Sequence, residues 1–389
     1  MASVGGKLEV HGESSCVIIT RKPNIGYVYS PDYIEKCTMP KIGNRAALTH
    51  ELIKSCGLLT NATIISPRKA TTNHLKLFHS SDYVEFLEAT ANVAEFNESF
   101  EEKAAEFDLR YDCEIFDGLF DYVTSVAGGT LTAVQALIMG VCRTVINWNG
   151  GWHHAHRGRA SGYCYVNDIV IGILHLRKKF KKILYIDVDA HHGDGVQEAF
   201  EHSKNIMTVS FHNYSRGFYP GTGSVEEIGI ASGTGCNVNV PLKSGINDTM
   251  FCYVFDRVLK EVSNVFSADA IVLQCGVDGL SRDPTAAFNL TDGAFVHVAK
   301  KLNDLDVPII MLGGGGYDEI NAAKCWTAVT AAVCDTELPE DIPEHEYFTE
   351  YGPSFDMGVE EGKLKNLNDE NYINSVLEKI SANLSKVVK

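Results

Sequence analysis

The chain has 389 residues, 45% of them hydrophobic and 22% charged, enough for a large buried core and, by length alone, for two or three domains. Its formal net charge of −16 argues against direct binding to nucleic acid or to an anionic membrane, both of which call for a basic surface. The 11 cysteines form no C-x-x-C pair, and the N-terminus MASVGGKLEVHGESS lacks the layout of a secretory leader, so a reducing cytosol or nucleus is expected. No run of about 18 apolar residues is read here, hence no membrane span.

Residues 1–24 form an extension with a short strand pattern at 16–20. A core strand is expected at 27–29 and a helix around 45–55, on Ala47, Leu48, Leu52 and Ile53. Residues 83–97 read as helical and 101–108 as an acidic helix end or loop. The long, small-residue, mostly apolar pattern over 118–140 predicts a buried helix. Strand and helix then alternate: strands at 144–148, 183–186, 205–211, 270–274 and 308–312, and helices at 167–176, 248–266, 290–302, 321–332 and 370–388. This alternation predicts an α/β fold with a largely parallel sheet. No internal repeat and no Pro/Ser-rich linker interrupts it, so residues 25–389 are expected to form one domain.

The polar clusters fall where strands end. In KILYIDVDAHHGDGV (182–196) an apolar run gives way to Asp187, Asp189 and His191 at a spacing of two, which on extended backbone places them on one face. Crowded carboxylates repel unless a cation neutralises them, and two carboxylates with an imidazole suit a divalent metal such as zinc. A turn that merely caps the next helix would use the same residue types. Other strands run into Gly150-Gly151-Trp152-His153-His154, into Gly276-Val277-Asp278 and into GGGGY (313–317). In open parallel sheets sites assemble beyond the carboxyl ends of the strands. These ends are therefore expected to converge, with Asp189, His191 and Asp278 as a three-residue metal set that leaves a coordination position open. Asp187 and Asp194 are then available to orient imidazoles. Structural histidines and a simple glycine turn are the bland alternatives for His153-His154 and Tyr317. The basic run 177–182 is a solvated face or a nuclear-localisation signal.

With these residues assembled, the sequence resembles the class I zinc-dependent histone deacetylases over nearly its whole length. The carriers are NWNGGWHHA (147–155), ASGYCYVND (160–168), LYIDVDAHHGDGV (184–196), MTVSFH (207–212), PGTG (220–223), QCGVD (274–278), GGGGY (313–317) and IPEHEYF (342–348). The resemblance implies an arginase-like fold with an eight-stranded, mainly parallel sheet, and hydrolysis of N6-acetyl-lysine in histone tails and other proteins. It implies Zn2+ on Asp189, His191 and Asp278, with Fe2+ or Co2+ as substitutes. His154 with Asp194 would be general base and then acid, His153 with Asp187 an electrostatic partner, and Tyr317 the oxyanion donor. Asp112 would hold substrate at the rim of a tunnel walled by Tyr163 and Tyr219 with Thr285 beside it, and Trp152 and Gly162 would also bind substrate. Structural K+ would sit near Asp187, Asp189, His191, Ser210 and Phe211, and at a second site near Phe200, Ser203 and Ile206. A nuclear and cytoplasmic location is implied, and a corepressor complex is left open. The chain departs from the family where Tyr163 and Tyr219 replace phenylalanines, Thr285 a methionine, Arg159 a glutamate, Val277 an alanine and Cys236 a tyrosine. An acetylpolyamine amidohydrolase, a longer-chain deacylase and a non-catalytic acetyl-lysine-binding scaffold are the rival readings.

Overall fold

The computed structural model describes residues 24–92 and 97–387. The strand expected at 16–20, and all of the extension but Asn24, lie outside them.

Eight strands form one sheet: β1 (Ile25–Val28), β2 (Ala62–Ile65), β3 (Thr144–Asn147), β4 (Ile183–Asp187), β5 (Ile206–Asn213), β6 (Asn237–Leu242), β7 (Ala270–Gln274) and β8 (Ile309–Leu312). Their order is β2-β1-β3-β8-β7-β4-β5-β6, and every pairing is parallel. The inner strands are buried throughout, as their continuous apolar runs require of a sheet covered on both faces. Alternate residues feed two cores. Leu184, Ile186 and Met311 face one, together with the helices Asp248–Val265, Asp292–Asn303 and Glu370–Leu384; Ile183, Tyr185 and Ile310 face the other, against the helix Leu119–Met139. Truncating such a side chain, as in Leu184→Ala, costs about 2–5 kcal/mol.

The helix Leu119–Met139 qualifies the expectation about membranes. It is long and apolar enough to cross one by length and composition, yet 78% of its most apolar window is buried inside the protein. It is a core helix. Gly118 and Gly140, both at positive φ, bound it.

The structure departs from the expected elements mainly at the sheet's margins. Strands β2 and β6, the two edges, had no counterpart in the sequence reading, nor had the short helices Pro31–Lys36 and Asp194–Phe200. The acidic stretch expected as a helix end or loop belongs to a helix, Glu98–Glu106, capped by the Asn97 side chain on Phe100 N.

Candidate active site

Four adjacent strands, β3, β8, β7 and β4, point their carboxyl ends the same way. Asp187 ends β4, and Asp189 and His191 lie just past it; beyond β7 lies Asp278, beyond β3 the histidine pair, and beyond β8 Tyr317. The sheet order thus brings together segments far apart in sequence.

Asp189, His191 and Asp278 present ligand atoms within 4.8 Å of one another. His191 Nδ1 lies 3.1 Å from Asp189 Oδ1 and 2.7 Å from Asp278 Oδ2. The latter contact is close but not aligned as a hydrogen bond, and Asp278 Oδ2 is buried without any hydrogen-bond partner. The other oxygen, Oδ1, accepts from Ala190 N at 2.7 Å. Burial first, and the neighbouring Asp189 second, push the Asp278 carboxyl up. A cation relieves both the repulsion and the orphaned oxygen, so the three residues fit a divalent metal. Two glycines make the crowding feasible. A Cβ at Gly315 would stand 2.5 Å from Asp278 Oδ2 and 2.8 Å from Asp189 Oδ2, and one at Gly276 would stand 2.0 Å from Asp189 Oδ2.

Each histidine of the pair is tied to its own carboxylate. His153 Nδ1 sits 2.7 Å from Asp187 Oδ2, and His154 Nδ1 sits 2.7 Å from Asp194 Oδ1. Both Nδ1 atoms being engaged, the two Nε2 atoms face each other at 3.0 Å. Burial opposes the charge on His153, but Asp187 and Asp189 outweigh it and push the imidazole up to about 9. For His154, burial and then the charge on His153 win over Asp194 and push it down to about 4. The two imidazoles are thus biased apart, His153 towards the cation and His154 towards the free base.

Tyr317 is half-buried and its ring meets that of Tyr163 edge-on at 5.7 Å. Its hydroxyl has no hydrogen-bond partner among the described residues. Burial, then Asp278 and Asp189, hold it well above the ordinary phenol range, so it stays a proton donor.

Tyr219 lies edge-on to His154 at 5.0 Å and shares a 2.5 Å hydrogen bond with Ser161 Oγ. Gly162, at φ +51, allows this packing, since a Cβ there would lie 2.6 Å from His154 Cδ2 and 2.9 Å from Tyr219 Cε1. Tyr163 takes the positive φ of 64, and Lys41 Nζ stands 5.3 Å from its ring centre. Asp112 is exposed in the turn Tyr111–Cys113 and lines, with Gly162 and Tyr219, a surface cavity of about 310 Å3. Trp152 is buried, its indole N–H donating to Asn149 O at 3.1 Å. Thr285 is half-buried and its N–H donates to Asp283 Oδ1. Ser210 pairs in register with Asp187 across β5 and β4, and Phe211 follows it. Phe200, Ser203 and Ile206 lie where the helix Asp194–Phe200 turns into β5.

Sequence reasoning overlooked the residues that hold these groups still. Tyr185 Oη donates to Asp187 Oδ2 at 2.5 Å, and Gln274 Nε2 to Asp189 Oδ2 at 2.9 Å. Asp168 is fully buried and accepts from the backbone N–H groups of Gly151 and Trp152, just ahead of the histidines. Arg45, also buried, donates to Gly316 O at 2.6 Å next to Tyr317. The spacing of two from Tyr185 to Asp187 was the one available signal. A single polar residue in a helix start or at a strand's last position carries none.

The model of the histone deacetylase domain matches residues 39–333, well over half of the chain. Histone deacetylase 8 of Danio rerio is 42% identical over 373 residues, covering 95% of this chain and 97% of that protein. The Xenopus tropicalis histone deacetylase 8 is 42% identical over 364 residues, 93% of this chain and 98% of that one. Histone deacetylase 1 of Homo sapiens is 39% identical over 347 residues, 89% of this chain and 71% of that one. Together with the eight-stranded parallel sheet and the Asp/His/Asp cluster, these matches decide the family. The chain belongs to the class I histone deacetylases, the amidohydrolases that remove acetyl groups from lysine, and resembles histone deacetylase 8 over nearly its entire length.

Proposed function

We propose that this chain, as one catalytic domain over residues 25–389, hydrolyses the acetamide of N6-acetyl-lysine in histone tails and other proteins and releases acetate. The observation that carries the reading is the placement of two oppositely biased histidines beside a buried Asp/His/Asp cluster. Asp189, His191 and Asp278 would hold Zn2+, with Fe2+ or Co2+ as substitutes. A bound cation supplies Lewis acidity, making the amide carbonyl more electrophilic and a nearby water more acidic. His154, neutral and steered by Asp194, takes a proton from the attacking water at Nε2 and later gives it to the departing lysine amine. His153, charged and anchored by Asp187, stabilises the negative charge that develops beside it. Tyr317 donates its free hydroxyl to the oxyanion. Tyr163 and Tyr219 wall the lysine stem, with Asp112 at the rim. The family resemblance supports the K+ positions and a nuclear and cytoplasmic location as part of this proposal.

The test is acetate release from an acetyl-lysine peptide, with chelator and metal add-back, alongside metal content. Chelation is expected to abolish turnover and zinc to restore it, while Asp278→Ala loses bound metal. Turnover indifferent to chelation would overturn the metal assignment. Absence of acetate release from the zinc-loaded protein would overturn the deacetylase reading and turn attention to longer acyl chains and acetylpolyamines.

A further inference from the structure

Asp194 has two oxygens, and the His154 pairing uses only one. Oδ1 accepts from His154 Nδ1 and from Gly195 N at 2.9 Å. Oδ2 faces a third imidazole, His156, whose Nε2 stands 3.6 Å away, an ion-pair distance rather than a hydrogen bond. His156 Nδ1 in turn lies 2.5 Å from Glu198 Oε2. The order is therefore His154, Asp194, His156, Glu198. It begins at the buried histidine pair and ends at a carboxylate 61% exposed. Its outer half lines a cavity of about 380 Å3.

We propose that His156 is a positioning residue for the His154–Asp194 pair, setting through the outer oxygen of Asp194 how strongly that carboxylate supports a proton on His154. The inference rests on the reading of His154 as general base. A carboxylate between two imidazoles divides its field. When His156 carries a proton, less of the negative charge is available to His154, and His154 is the weaker base. His156 is held for this task by its own backbone, bridged to Arg159 with His156 N donating to Arg159 O at 3.0 Å.

The charged groups around His156 favour its protonated form. Asp194 and Glu198 face it from the helix Asp194–Phe200. Arg159 opposes them across the bridge, but Asp108 neutralises it at 3.0 Å. His192, Glu201 and Glu227 stand farther round the same cavity. The contact with Asp194 raises the His156 imidazole above its ordinary value, against burial and Arg159.

The experiment is the pH profile of kcat/KM on an acetyl-lysine peptide for the metal-loaded wild type, His156→Gln and His156→Lys. Removing the cation from the outer oxygen strengthens His154 as a base, which must then lose its proton at higher pH. The acid limb is expected to move up by about half a unit to one unit in His156→Gln, and His156→Lys is expected to bring it back. A uniform fall at every pH, with the limb unmoved, would show a merely structural role and overturn the proposal. A second readout does not depend on turnover: histidine-selective NMR should show the His156 midpoint falling in Asp194→Asn. An unmoved midpoint refutes the contact. A wild type that releases no acetate would sink the deacetylase reading instead, and the NMR titration would still decide whether His156 and Asp194 share a charge.

Discussion

His153 and His154 are neighbours in sequence, each bound through Nδ1 to an aspartate at 2.7 Å, yet they titrate in opposite directions. Burial is the largest influence on both and disfavours the cation in both. What separates them is the second layer. His153 faces Asp187 and also Asp189, 3.9 Å from its Nε2. His154 faces Asp194 but has the charged His153 beside it. A histidine–carboxylate pair therefore does not specify a role; the next charges out do. In the proposed mechanism, groups pushed apart in this way would serve as a standing charge and a working base.

The largest test of that division is truncation. His154→Ala is expected to lower kcat by about 10²–10⁴, the usual worth of a general acid–base group, and His153→Ala by less. The reverse ranking, measured under saturating peptide, would exchange the two roles. Tyr317→Phe comes next, with an expected loss of about 10²–10³ in kcat, as for one oxyanion donor. The phenol is no part of the titrating pair, so the limbs of the pH profile should stay in place. A shifted limb would mean that Tyr317 acts through the histidines rather than on the substrate.

The same contrast between inner and outer groups explains what was legible in the sequence. The inner strands announce themselves because burial on both faces demands unbroken runs such as ILYID and AIVLQ. The edge strands do not. In β2 only half-buried and exposed positions occur, and β6, NVNVPL, carries two asparagines and a proline that only an edge tolerates. In the site, Asp187, Asp189 and His191 were visible because the spacing of two survives past the end of β4. Asp278, His153-His154 and Tyr317 were visible as polar groups at the ends of glycine-loosened strands. Gln274, Asp168 and Arg45 were not, since their partners are backbone groups and side chains brought near only by the strand order. His156 was hidden for the same reason, as the helix Asp194–Phe200 that meets it has no apolar period long enough to read.

The smallest effect expected is on stability, and it opposes the two histidines most directly. The folded His153 imidazole sits at about 9 against about 6.5 when unfolded. The folded state therefore binds the proton more tightly. The resulting stabilisation, on the order of 3 kcal/mol, is fully present below about pH 6.5 and is lost as pH rises through about 9. His154 has the opposite sign. Its folded value of about 4 means that the unfolded chain takes up the proton first, so stability falls as pH drops from about 6.5 towards 4. In urea denaturation of the metal-free protein, where Asp189 keeps its full charge, the stability gap between wild type and His153→Gln should narrow from pH 6 to pH 9.5. His154→Gln should instead gain on the wild type as pH falls from 6.5 to 4.5. Each variant carries a fixed packing cost of its own, but that cost does not vary with pH, so the slope of each gap reports the protons bound by the pair. Gaps that moved in the same direction would show that one environment governs both imidazoles, and the division into charge and base would fall with it.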